Sequence, residues 1–194
     1  MKKWIIIGVI VILVIWIFSS YNGLVNKDEA VSSQWANVES QYQRRLDLIP
    51  NLVNTVKGYA DFEQETLTKV IEARSNATAV KIDPSNITPE ALAKFQEAQD
   101  GVSSTLSRLL VVMERYPDLK ANQNFLDLQA QLEGTENRIA VERQRFNETA
   151  QTYNTAVRRF PGVVVASIFG FEKRGYFEAA KGAENAPTVD FGSK

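Results

Sequence analysis

The side chains in this chain most able to do chemistry are its carboxylates. Glu133 and Glu136 lie three residues apart, a spacing that shares one helix face, and Asp61 and Glu63 make a second close pair. Paired carboxylates serve as general acid and base or hold hard divalent cations. Here 23 acidic residues in a chain of 194 produce such pairs by composition, and Asp83-Pro84-Ser85-Asn86 lacks the glycine of a calcium loop. The chain has no His and no Cys. That removes the Glu-x-x-His pattern of di-iron bundles, the usual zinc, copper, haem and iron–sulfur ligands, imidazole and thiolate catalysis, and disulfides. No nucleophile elbow, dinucleotide fingerprint, phosphate-binding loop or zincin motif occurs, and the Asn-x-Thr matches at Asn76, Asn86 and Asn147 are at chance level. No catalytic, cofactor-binding or metal-binding residue is assigned, and the chain reads as non-enzymatic.

The remaining candidates concern interaction and movement. Pro50 lies inside a helical pattern, where a ring without an N–H leaves the Leu46 carbonyl without its partner and bends the helix. Its structural reading is a wrap around the core; its functional reading is a hinge or binding notch with Arg44, Arg45 and Asn51. Thr135 and Glu142 occupy positions where the apolar stripe calls for an apolar side chain, and Glu142 is expected to pair across the seam with Arg44, Arg45 or Arg74. The run Val163 to Phe171 (VVVASIFGF) is too short, at nine residues, to span a bilayer. It is expected to form a short helix closing the end of a bundle. The alternative is an apolar tip, with Ile168, Phe169 and Phe171, that touches membrane or a partner.

Long helices must position these residues. From Val31 the apolar side chains step by three and four through Trp35, Val38, Tyr42, Leu46, Ile49, Val53, Val56, Ala60, Leu67 and Val70. This predicts a helix over about 27–74, about 70 Å long if unbroken. The polar stretch 75–88 reads as a loop. Thr88-Pro89-Glu90 is a helix start, with hydroxyl cap, proline and first-turn acid, and Tyr116-Pro117 ends that second helix. A third runs from near Asn122 to Phe160, stopped by Pro161-Gly162. The last segment, 176–194, begins as a helical turn at Phe177, Ala179 and Ala180, and Val189 and Phe191 suggest a tail tied along the bundle.

A membrane anchor precedes the bundle. Trp4 to Phe18 (WIIIGVIVILVIWIF), including Ile5, Val9, Leu13 and Trp16, is fifteen residues without a charge. At 1.5 Å per residue the run covers about 22 Å of a core of about 30 Å, so Ser19, Ser20 and Tyr21 must help. No small-x-small cleavage signal follows it, which favours an uncleaved anchor over a signal peptide. Trp4 at one end and Trp16 with Tyr21 at the other fit the aromatic belts of the two interfaces. Lys2 and Lys3 place the amino terminus in the cytoplasm and the following domain outside the inner membrane. The organisation is therefore residues 1–3 as a cytoplasmic start, 4–21 as the anchor and 22–194 as a helical domain. Setting aside Lys2 and Lys3 leaves 20 basic against 23 acidic residues, a net charge of −3, which gives no footprint for nucleic acid.

Three blocks carry a family resemblance. Arg45-Leu46-Asp47-Leu48-Ile49-Pro50-Asn51-Leu52-Val53 is followed by Val56-Lys57-Gly58-Tyr59-Ala60 and Val70-Ile71-Glu72-Ala73-Arg74. Tyr116-Pro117-Asp118-Leu119-Lys120-Ala121 precedes Leu132-Glu133-Gly134-Thr135-Glu136-Asn137-Arg138-Ile139-Ala140. The third comprises Tyr153-Asn154, Phe160-Pro161, Phe169-Gly170-Phe171, Tyr176-Phe177 and Val189 with Phe191. Together they resemble the LemA family over nearly the whole chain from Tyr21. The resemblance implies a single-pass bacterial membrane protein with an antiparallel helical bundle and no assigned biochemical activity. It also implies an association with membrane proteases and other envelope proteins, and a relative in magnetosome membranes. Phe62 stands before Glu63 where the family often has His, so a metal or proton role for that His does not carry over.

The fold expected is all-α: one transmembrane helix, then a long antiparallel bundle of three long helices and a short C-terminal helical segment. The function expected is that of a scaffold or interaction module for other membrane or envelope proteins, with the bilayer as a partner through the anchor. Membrane confinement raises the effective concentration of weak partners, and unused apolar faces are compatible with a homo-oligomer. The alternative is an extracytoplasmic ligand-sensing bundle, which would act through a separate partner because only Met1 to Lys3 precede the anchor.

Overall fold

The computed structural model describes residues 2–58 and 63–179. Six helices make up its regular structure, with no strand among the described residues: α1 Lys2–Lys57, α2 Gln64–Ala79, α3 Pro89–Met113, α4 Pro117–Lys120, α5 Gln123–Arg158 and α6 Gly162–Phe169. The fold is the expected all-α bundle with a long apolar N-terminal helix; α1, α3 and α5 are its three long members and α6 its short C-terminal one.

The boundaries correct the sequence reading in four respects. The first bundle helix does not begin near 27; it is continuous with the apolar N-terminal stretch, one helix of 56 residues, about 84 Å long. It also ends early, at Lys57, and the stretch up to 74 belongs to the separate α2. The periodicity hides this turn because Val56, Leu67 and Val70 keep a helical register across it. α2 then runs on to Ala79, so the following loop is 80–88 rather than 75–88. α3 stops at Met113, and Tyr116 precedes the short α4 instead of closing α3.

The helices alternate in direction. α2 descends from Glu63, beside Arg115, to Pro84, whose carbonyl accepts from Ser32 of α1. α3 rises again, with Phe95 against Trp35 and Gln99 against Arg45. α5 descends along α1 until Phe160, just past its end, meets Trp16 in the anchor. Local caps agree with the sequence signals: Thr88 Oγ1 accepts from Ala91 N–H, and Asn122 Oδ1 accepts from Phe125 N–H.

Two apolar clusters form the core. The proximal one, nearer the apolar N-terminal stretch, gathers Val31, Trp35, Val38 and Tyr42 with Phe95, Ile139, Phe146, Tyr153 and Phe177. Trp35 is its hub, with ring centroids of Phe95, Phe146 and Phe177 at 5.1, 5.7 and 6.1 Å. The distal cluster gathers Leu46, Ile49 and Val53 with Leu67, Val70, Leu106, Leu109 and Phe125. The anchor stands apart from both: none of its most apolar window is buried in the protein, and Trp4, Ile5, Val9, Leu13 and Phe18 are exposed.

The segment after α6 is extended from Phe171 to Ala179, not the helical turn expected near Phe177. Side-chain amides occupy the backbone groups that a turn would use. Asn154 Nδ2 donates to the Arg174 carbonyl and its Oδ1 accepts from Arg174 N–H, both at 2.9 Å. Asn147 makes the same pair with Phe177, again at 2.9 Å, and Gln96 of α3 does so with Glu178. Gly175 passes so close to α3 that an added Cβ would stand 3.0 Å from Pro89 Cα, which explains a residue without a side chain there. Ala60, Asp61, Phe62, Ala180, Val189 and Phe191 lie outside the described residues.

Candidate functional site

Arg45 leaves α1 between the two core clusters and is 1% exposed. Its Nη1 donates to Glu136 Oε1 and to Ser103 Oγ, both at 2.7 Å; its Nη2 donates to Gln99 Oε1 at 2.6 Å and to the Gln99 carbonyl at 3.0 Å. The guanidinium also lies 5.1 Å from the Tyr42 ring centroid. A charge this deep is tolerated when acceptors and a counter-charge meet it; here α3 and α5 satisfy both Nη groups, while the buried Nε has no acceptor among the described residues. The node locks the register of three helices at one level. Burial raises the Tyr42 hydroxyl above the ordinary tyrosine value, against the opposing pull of Arg143 and Arg45.

This corrects the expected partner of Glu142. Arg45 reaches Glu136, and Glu142 lies six residues on, about 9 Å further toward the apolar N-terminal end of α1. There it accepts from Gln34 Nε2 at 2.7 Å and from Arg145 Nη1 at 2.8 Å. Arg74 serves neither carboxylate: its Nε donates to the Leu46 carbonyl at 2.8 Å, the acceptor that Pro50 leaves open. Pro50, Arg44 and Asn51 are exposed, whereas Arg45 is buried, so the four do not converge on one notch. Thr135 is buried on the seam and satisfied within α5, its hydroxyl donating to the Gln131 carbonyl. Gln99 is the sequence signal for the node: a polar residue interrupting the apolar stripe of α3 marks a polar partner opposite.

The base of the bundle gathers the other candidates. α6 buries Val165 and Ala166 in the proximal cluster and turns Val163, Val164, Ile168 and Phe169 outward. Gly170 ends it in the left-handed conformation, φ 76°, which returns the chain so that Phe171 packs half-buried beside the anchor. Tyr21 stands between Phe169 and Phe171, at centroid distances of 4.9 and 5.6 Å, and Trp16 lies 6.4 Å from Phe160. These contacts leave Trp16 and Tyr21 half-buried, unlike the rest of the apolar stretch.

Just above, Arg174 Nε and Nη2 donate to Asp28 Oδ1 at 3.0 and 2.6 Å, joining the extended segment to the foot of the bundle. Tyr153 donates to the Glu172 carbonyl at 2.9 Å, and burial, reinforced by the Asp28 carboxylate, pushes its hydroxyl up to about 12. Sequence reasoning meets Asn147 only as a chance Asn-x-Thr match and Asn154 only within a family block, and it singles out neither Asp28 nor Arg174, although two Asn seven residues apart on the inner side of α5 are an available signal. An open groove of about 600 Å³ lies between α1 and α5, lined by Gly23, Asn26, Lys27 and Ala30 opposite Glu148, Thr149 and Thr152. Among the described residues no group of three or more acidic side chains converges to hold a metal ion.

Comparison with known proteins finds relatives of this chain. The model of the LemA family matches residues 34–191, which includes the Arg45, Pro50 and α6 segments. The chain is 28% identical over 186 residues to Magnetosome protein MamQ of Magnetospirillum gryphiswaldense, covering 87% of this chain and 68% of that one. Magnetosome protein MamQ 1 of Paramagnetospirillum magneticum matches at the same identity and coverage. Protein LemA of Metamycoplasma hominis is 22% identical over 160 residues, covering 82% of this chain and 69% of that one.

Proposed function

The chain belongs to the LemA family, and from that premise we propose that it is a non-enzymatic scaffold of the inner membrane, holding an extracytoplasmic bundle that recruits other membrane or envelope proteins. The observation that carries this reading is the continuity of α1. One helix is both the apolar anchor and the central member of the bundle, so the docking faces stand at fixed height and orientation above the bilayer. A helix without a break between the two parts suits a spacer that presents surfaces. Weak contacts suffice on a membrane, where confinement raises effective concentration. The relatives named Magnetosome protein MamQ and Protein LemA support a membrane-associated protein. Lys2 and Lys3 at the free end of the anchor support the outward orientation.

Two measurements test the reading. Gln131, exposed on α5, is replaced by Cys in this cysteine-free chain and treated with a membrane-impermeant maleimide. Labelling in intact spheroplasts is expected; labelling only after lysis would place the bundle in the cytoplasm. Reversal of the exposed α5 charges, Glu133→Lys with Arg138→Glu, is expected to remove co-purifying membrane proteins while the melting temperature holds. If neither this nor any other face substitution alters an association, the scaffold role fails.

A further inference from the structure

The base of the bundle presents an apolar surface that none of the described residues covers. Phe160 is 75% exposed and Ile168 67%, with Val163, Val164 and Phe169 beside them. From Phe160 to Phe171 there is no charged residue, and the exposed Arg158, Arg159, Glu172 and Lys173, three of the four basic, bracket the stretch. A soluble domain ends a bundle with polar side chains, and an exposed apolar patch rimmed by basic residues is the pattern of an interfacial membrane helix.

Its position identifies the occupant. The patch is contiguous with the anchor: Phe160 packs on Trp16, and Phe169 and Phe171 pack on Tyr21. Trp16 and Tyr21 are five residues apart, about 7.5 Å along the helix, so α6 lies at the depth of the last turn and a half of the span. That is where the strict apolar run falls short of the bilayer core and where aromatic residues mark the interface.

We propose that Phe160 and α6 form a second membrane contact, an interfacial wedge whose outward side chains enter the acyl region of the same leaflet that holds the carboxyl end of the anchor. Arg158, Arg159 and Lys173 then meet lipid phosphates at the rim. The bundle is gripped at two points, which fixes its tilt and its rotation about α1. This inference rests on the reading of 4–21 as a membrane span but holds for either orientation of the chain.

The test uses the full chain in vesicles of phosphatidylethanolamine and phosphatidylglycerol, with an environment-sensitive nitrobenzoxadiazole probe on single cysteines. Ile168→Cys reports the wedge, Val11→Cys the anchor and Gln131→Cys the exposed bundle. Val164→Cys is a second wedge site should the first perturb folding, with helix content checked by circular dichroism. Lipids bearing a nitroxide near the headgroup end of the acyl chain are expected to quench positions 168 and 164 several-fold more than position 131. Nitroxides near the methyl end should quench position 11 most. Quenching at 11 but not at either wedge site would overturn the wedge and leave the anchor standing. A blue-shifted but unquenched probe at the wedge would mean that protein, such as a second copy, covers the patch, and would equally overturn it. Absence of quenching at every site, 11 included, would remove the membrane reading itself and the wedge with it.

Discussion

Arg74 Nε donates to the Leu46 carbonyl at 2.8 Å, so a side chain from α2 satisfies the backbone acceptor that Pro50 deprives of its amide four residues on. Helix α1 thereby keeps a proline in its interior without an orphaned carbonyl, and α2 is pinned to it at the bend. Replacing Arg74 with Ala is expected to cost about 1.5–3 kcal/mol, the range for a lost bond with one charged partner. In a Pro50→Ala background the backbone N–H restored at position 50 takes over that carbonyl, and the cost should shrink by more than half. Urea unfolding of the four proteins in this cycle reads the coupling, and strict additivity would contradict it.

The Arg45 node predicts a larger and asymmetric effect. Arg45→Ala leaves Gln99, Ser103 and Glu136 without their donor at the junction of the two clusters, and about 3–5 kcal/mol should be lost. Glu136→Gln keeps an acceptor, and Gln99 and Ser103 still hold the guanidinium, but the buried Arg45 charge loses its counter-charge. That variant should lose about 1–3 kcal/mol, less than Arg45→Ala. Comparable midpoints for the two variants in urea would mean that the node is not where the helices are locked.

The amide clamps on the extended segment predict a local response. Asn154→Ala removes both partners of the buried Arg174 backbone, leaving a donor and an acceptor unsatisfied at about 1–3 kcal/mol each. Hydrogen exchange across 172–178 should accelerate by at least about tenfold while the amides of α3 keep their protection. Uniform acceleration through the bundle would show that the segment is not a separate cooperative unit.

Alkaline stability should report Tyr153. Its folded value, pushed up to about 12 from the ordinary 10.0, means that the neutral hydroxyl is favoured in the native state. The unfolded chain therefore releases its proton first. The contribution is complete below pH 10.0 and is lost as pH rises toward about 12. A Tyr153→Phe variant, less stable at neutral pH by the bond to the Glu172 carbonyl, should show a shallower decline across that window. Parallel stability curves would contradict the shift.

Much of this architecture is legible in residue spacing, and the failures have physical causes. Trp35, Val38 and Tyr42 do face a core, the Thr88 and Asn122 caps start α3 and α5, and the run from Val163 does close the base. The turn after Lys57 is hidden because periodicity records which face is apolar, and that face keeps its register when the chain reverses between Val56 and Leu67. The partner of Arg45 is not legible because the relative height of α1 and α5 follows from packing along their whole length, and a six-residue offset exchanges Glu142 for Glu136. The extended strap around Phe177 escapes local reading because its order comes from Asn147, Asn154 and Gln96, residues remote in sequence, rather than from propensity in the segment itself.

A scaffold of this kind requires α1 to be one unbroken helix from bilayer to bundle, and a distance measurement tests that most directly. Spin labels at Phe18→Cys, in the anchor, and Glu39→Cys, exposed on the bundle, are separated by 21 residues, about 32 Å of helix, with Pro50 outside the interval. Pulsed dipolar spectroscopy of the full chain in vesicles should return a narrow distribution centred near that length. A broad distribution, or one centred well below it, would mean that anchor and bundle are joined by a flexible link and that the bundle is tethered, not held.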